Sequence, residues 1–76
     1  MNSIKLKLDS IDKVKTFVNT ISFYDGDFDL VSKRYIVDAK SIMGIFSLDL
    51  SNELELVVHN EDYVEEVKEK LSDYLV

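Results

Sequence analysis

Three polar side chains stand out by position: Ser10 and Ser41 at helix starts, and His59 as the sole histidine. Ser41 opens the stretch Lys40-Ser41-Ile42-Met43-Gly44-Ile45-Phe46-Ser47-Leu48, which reads as a short helix ending near Asp49. Serine is a favoured N-cap because its side-chain oxygen accepts from a free backbone N–H of the first turn. Exposed N–H groups and the positive end of the helix dipole also make such a spot receptive to an anion. Ser10 reads as a second helix start, before a longer helix, with either Asp9 or Ser10 able to cap. A serine phosphorylated there would be a stable ester rather than a relay. His59, the sole histidine, falls at the outward register of a strand, with Glu61 and Asp62 nearby. Those carboxylates repel phosphate, and they match no metal-ligand spacing. No paired carboxylates, nucleophile–base pair or phosphate-cradling loop marks an enzyme. No cofactor or metal is expected.

Behind Ser41 stand Ile42, Met43, Ile45, Phe46 and Leu48, more apolar groups than one short helix buries on a single face. Some of them must face water, and an exposed apolar patch on a small domain marks a contact surface. Met43, flexible and polarisable, is the residue expected to stay exposed.

The elements that position these residues follow from periodicity. Asn2 to Leu8 alternates Ile4, Leu6 and Leu8 with Lys5 and Lys7, a one-sided strand. After Asp9-Ser10, a helix puts Ile11, Val14, Phe17, Val18 and Ile21 on one stripe and ends near Ser22 or Phe23. Asp25-Gly26 turns the chain. Asp27 to Ser32 and Tyr35 to Ala39 form an antiparallel hairpin across Lys33-Arg34, a pair with neither glycine nor asparagine for positive φ. Glu53 to His59 is a fourth strand, with Leu54, Leu56 and Val58 inward. Asn60 caps a last helix expected to run to the C-terminus, with Val64, Val67, Leu71 and Tyr74 or Leu75 on its buried stripe. The order is βαββαβα, an α+β fold of four strands with the helices on one face of an antiparallel sheet.

Composition narrows the function classes. The 76 residues make a single small domain (residues 1–76), 46% of them hydrophobic, enough to fold. Fifteen acidic against nine basic residues give a net charge of −6, which argues against nucleic acid and against an anionic membrane surface. There is no cysteine, hence no disulfide or thiol chemistry. The first strand begins almost at Met1, leaving no room for a signal peptide, and no apolar run reaches the length of a membrane span, so a cytoplasmic protein is expected. Nothing in the pattern fixes the oligomeric state.

KSIMGIFSL resembles the regulatory-serine segment of HPr, the phosphocarrier of the bacterial phosphoenolpyruvate-dependent sugar phosphotransferase system. YDGDFDLVSKRYIVDA is similar to the preceding hairpin of that family, and the resemblance runs on to the last helix with one or two residues deleted around Ser51 to Glu53. It implies the HPr open-faced β-sandwich over nearly the whole chain. HPr proteins carry phosphate on a histidine just before the first long helix, followed by Ala-Arg-Pro. Laid on that pattern, this chain has Ser10 at the histidine position and Ile11, Asp12 and Lys13 after it. The resemblance therefore implies a chain without the phosphocarrier histidine, with Asp12 where an arginine would meet the phosphate. It also implies that Ser41 matches the serine phosphorylated by a dedicated kinase/phosphorylase, and that Lys40, Ile42, Met43 and Phe46 match the patch that docks protein partners. The expected function is a regulatory or adaptor protein of the phosphotransferase system. The alternatives are a phosphocarrier relocated to His59, or a ligand-binding or structural domain on the same scaffold.

Overall fold

Strand alternation and helix capping set the architecture. The computed structural model describes residues 3–33 and 35–76. Asn2 of the expected first strand and Arg34 of the expected hairpin connection lie outside the described residues. The elements are β1 (Ser3–Leu6), α1 (Ile11–Ile21), β2 (Phe28–Ser32), β3 (Tyr35–Asp38), α2 (Ile42–Phe46), β4 (Leu54–Val58) and α3 (Val64–Lys70). The strands form one antiparallel sheet in the order β1-β4-β2-β3. Its inward residues Ile4, Leu6, Phe28, Leu30, Leu54, Leu56 and Val58 are buried with Val14, Phe17, Ile21, Ile45, Val67 and Leu71 from the helices. This is the two-layer α+β arrangement that the alternation predicts.

Three expectations need correction. Ile11, placed on the α1 stripe, is 62% exposed: it is the first helical position, where the stripe runs off the end of the core. The Ser41 helix stops at Phe46 rather than near Asp49. Ser47 takes the carbonyl of Gly44 with both its hydroxyl (2.5 Å) and its N–H (3.2 Å), a three-residue spacing that closes the last turn. Asp49 then collects the N–H and hydroxyl of Ser51 and the amide of Asn52, which fixes the loop into β4.

The last helix does not run to the C-terminus. Asn60 caps a 3₁₀ turn, Glu61–Tyr63, and a second such turn, Ser72–Tyr74, follows α3. The chain then turns back along β1: Leu75 pairs with Leu6, the N–H of Lys7 donates to Tyr74, and that of Val76 donates to Lys5. Pairing with an open sheet edge satisfies backbone groups that a helix end would leave free. Finally, the hairpin between β2 and β3 gets its positive φ from Lys33, at +33°. Two-residue hairpins demand a left-handed residue, and here a lysine accepts that strain.

Candidate functional site

Ser41 sits in extended backbone (φ −100°, ψ 108°), and its Oγ accepts the N–H of Gly44 at 3.1 Å. Asp38 prepares the approach from β3. Its carbonyl accepts from Ser41 N–H (3.0 Å) and its carboxylate from Lys40 N–H (2.9 Å). Gly44 lets the helix lie close on the sheet. A Cβ at that position would come within 3.2 Å of Ser41 Oγ and 3.4 Å of Val37 Cβ. Within the helix the apolar side chains divide by spacing. Ile45 is fully buried, Ile42 packs against the core from its edge, and Leu48 just beyond is buried. Met43 and Phe46, three apart on the other side, are 79% and 38% exposed. The helix carries no charged residue, so the patch is an uncharged apolar surface on an otherwise acidic molecule.

Lys40 behaves otherwise than its neighbours. Its Nζ donates to the carbonyls of Tyr24 (2.6 Å) and Gly26 (3.1 Å) and stands 5.3 Å from the centroid of the Phe28 ring. The ammonium thus ties the α1–β2 connection to the start of α2. Three such contacts commit the charge to the fold. Its sequence position beside Ser41 gives no hint of this, because the partners are backbone carbonyls 14 and 16 residues away.

Ser10 caps α1. Its Oγ accepts the N–H of Lys13 at 3.2 Å, and its backbone is extended at φ −147° and ψ 158°. The nearby cation is already engaged, as Lys13 Nζ meets the Asp9 carboxylate at 3.0 Å. The hydrogen bond and charge of Lys13 hold the Asp9 carboxyl below the usual aspartate value. Asp12 adds a second acid to the first turn. The site is a good helix start and a poor phosphate cradle.

His59 faces solvent from the end of β4, and its neighbour is one that sequence spacing misses. Its Nε2 lies 2.7 Å from Asp29 Oδ2. The β2–β4 register places Asp29 diagonally across from His59 on the open face of the sheet, within reach of a long-range pair. Asp38 stands directly opposite Asp29 on the far side. Among the described residues no group of three or more His, Asp or Glu side chains could hold a metal ion. The helices bearing Ser10 and Ser41 touch each other, but Ser10, Ser41 and His59 share no hydrogen bond.

A groove of about 470 Å³ lined by Thr20, Phe23, Tyr24, Glu66 and Lys70 escapes sequence reasoning altogether. It lies between the end of α1 and α3, where burial and the Glu66 carboxylate push the Tyr24 hydroxyl above its ordinary value. Phe23 on its rim is 87% exposed.

No family model and no curated protein matches the chain. Solved structures do. HPr-C-His from Thermoanaerobacter tengcongensis superposes with a TM-score of 0.78 at 24% identity, over 96% of this chain and 92% of that one. The phosphocarrier protein HPr from Bacillus anthracis str. Ames gives 0.71 at 25% identity, over 97% and 93%. The chain is HPr-like. The open-faced sandwich that the resemblance implies is the fold observed, from β1 to the C-terminal turn. The Bacillus neighbour is named a phosphocarrier rather than an enzyme, in agreement with the expectation of no enzymatic activity here. Among the described residues no helix is long and apolar enough to cross a membrane.

Proposed function

We propose that this HPr-like chain is a regulatory or adaptor protein related to the sugar phosphotransferase system, and that it docks protein partners through α2. The observation that carries this reading is the exposure of Met43 and Phe46 on an uncharged helix. An exposed methionine and an aromatic edge suit adaptable protein contacts, and proteins are the partners that HPr relatives serve. The chain has Ser10 where the resemblance puts the phosphocarrier histidine. With Asp9 and Asp12 beside it and Lys13 already paired, that helix start supports loss of histidine phosphotransfer.

Ser41 is the regulated position in this reading. Its hydroxyl is half-buried and occupied as a cap, so phosphorylation first breaks the bond to Gly44 and then sets a dianion at the rim of the Met43–Phe46 patch. The nearest positive group in sequence, Lys40, is held by Tyr24 and Gly26. Phosphate therefore acts here mainly by changing the docking surface, and less by forming a new ion pair.

Intact mass after separate incubations tests the reading. With ATP and an HPr kinase, the chain is expected to gain one phosphate, and Ser41→Ala to gain none. With phosphoenolpyruvate and enzyme I, no phosphate is expected. A gain there that disappears in His59→Ala would replace the adaptor by a carrier using His59, whose ring Asp29 already orients. No gain in either incubation would remove Ser41 from the proposal and leave only the docking surface. In that case Met43→Lys should still weaken partner capture about tenfold, the loss of one central apolar contact.

A further inference from the structure

The two ends of the sheet are finished differently. At β1, residues 74–76 run back along the edge and occupy the backbone groups of Lys5 and Lys7. At β3 no strand lies beyond among the described residues. The N–H of Ala39 donates to the carbonyl of Phe28, and the β2–β3 register pairs Leu30 with Val37 and Ser32 with Tyr35. Bonded pairs alternate with non-bonded ones in an antiparallel ladder, so Tyr35, Val37 and Ala39 spend their backbone groups on β2. Ile36 and Asp38 point theirs outward. The Asp38 carbonyl is taken by Ser41, which leaves both groups of Ile36 facing outward at the edge with no partner among the described residues. Tyr35 and Ile36 are also 65% and 68% exposed, on opposite faces of the strand. Edge strands of monomers are ordinarily blunted by charge, proline or a covering segment. This one carries an isoleucine at its centre.

We propose that β3 pairs antiparallel with β3 of a second copy of this chain, about a two-fold axis through Ile36, to make one continuous eight-stranded sheet. In that register Ile36 exchanges both backbone hydrogen bonds with its counterpart. Its side chain packs on the other isoleucine and extends an apolar row begun by Val31, its cross-strand neighbour on β2. On the helix-bearing face Tyr35 lies against Val37 of the copy, an aromatic–β-branched pair that occurs twice. The two registers shifted toward the C-terminal end of β3 fail. Centred on Asp38, the pairing sets carboxylate against carboxylate. Centred on Val37, it puts Ile36 against Asp38 and calls on the carbonyl already given to Ser41. Two four-residue strands bury little area, so the association is weak and concentration-dependent.

Sedimentation velocity of the full chain up to about 1 mM reaches even the weakest specific associations. A reversible dimer is expected, lost in Ile36→Lys and unchanged in Met43→Lys. Amide exchange gives a readout that needs no variant. Exchange at Ile36 N–H should slow as the concentration rises, while Val37, already bonded to β2, should not respond. A chain that stays monomeric at 1 mM with Ile36 exchange independent of concentration would overturn the proposal. So would a dimer that survives Ile36→Lys but not Met43→Lys, which would move self-association to the α2 patch. Phosphorylation of Ser41 bears on neither outcome, so this proposal and the adaptor reading fail separately.

Discussion

Two helices of this molecule begin in the same way and are held in different ways. Ser10 and Ser41 both lie in extended backbone, and each accepts the N–H three residues on, at 3.2 and 3.1 Å. Beyond the cap, α1 has 11 residues with Val14, Phe17, Val18 and Ile21 buried. In α2 there are five residues and only Ile45 is buried. A five-residue helix has no stability of its own in water, since nucleation costs more than so few hydrogen bonds return. Fitted contacts hold it instead: Ile45 below, Gly44 against Val37, and Ser41 at its start. The surface best suited to partners thus sits on the helix with the least reserve, so changes too small to matter in α1 should register in α2.

Gly44→Val should show this most strongly. A Cβ there already meets Ser41 Oγ and Val37 at close range, and two further methyls have no room between helix and strand. Overpacking of this kind costs about 1–3 kcal/mol. Urea denaturation should show a lower midpoint with an unchanged slope. A cost below about 0.5 kcal/mol, the range of neutral surface changes, would mean that α2 shifts freely and is not held by fit. Gly44→Ala should be much milder, because its single methyl is partly offset by the roughly 1 kcal/mol helix preference of alanine over glycine.

Removing the two caps makes the comparison directly. Ser41→Ala strips a partner from the N–H of Gly44, which is half-buried, so rehydration is incomplete. The cost should lie near the upper end of the range for caps, about 1–2 kcal/mol. Ser10→Ala bares the N–H of Lys13 at an open surface, and about 0.5–1 kcal/mol is expected. Equal costs by thermal melts would say that α2 feels its surroundings no more than α1 does.

How much of this was legible in the sequence follows from the range of each interaction. The caps, the α1 stripe from Val14 to Ile21 and the inward residues of β2 and β4 are local patterns, and periodicity reads them. The division of the Ser41 segment into buried Ile45 and Leu48 and exposed Met43 and Phe46 is half-legible. Counting shows that not all can be buried, and the flexibility of methionine marks Met43 as exposed, but only the packing decides which others join it. Lys40 on the carbonyls of Tyr24 and Gly26, and His59 beside Asp29, depend on the sheet register and on a loop folding back. The early stop of α2 at Ser47 and the return of residues 74–76 along β1 are competitions between two satisfactory hydrogen-bond schemes. No one-dimensional pattern settles such contests.

The smallest effect separates the two regions by the kind of force that holds a carboxylate. Asp9, at the start of α1, is held below the ordinary aspartate value chiefly by Lys13, through a hydrogen bond and its charge. Asp49, just after α2, is lowered chiefly by the hydroxyl and N–H of Ser51. Each carboxyl is a weaker base folded than unfolded, so each favours the folded state above about pH 4, the unfolded aspartate range. That contribution fades as the pH falls through the lower folded value. The two should differ in salt. Both groups are exposed, and about 1 M sodium chloride shortens the reach of charge to about 3 Å, so Asp9 should titrate closer to its unfolded value. Hydrogen bonds from an uncharged serine are not screened in this way, and Asp49 should keep most of its shift. Carboxyl carbon chemical shifts followed through an acid titration at low and high salt would resolve the two. If both moved together, the loop after α2 would be held by charge, and the contrast between the two helix starts would be narrower than their geometry indicates.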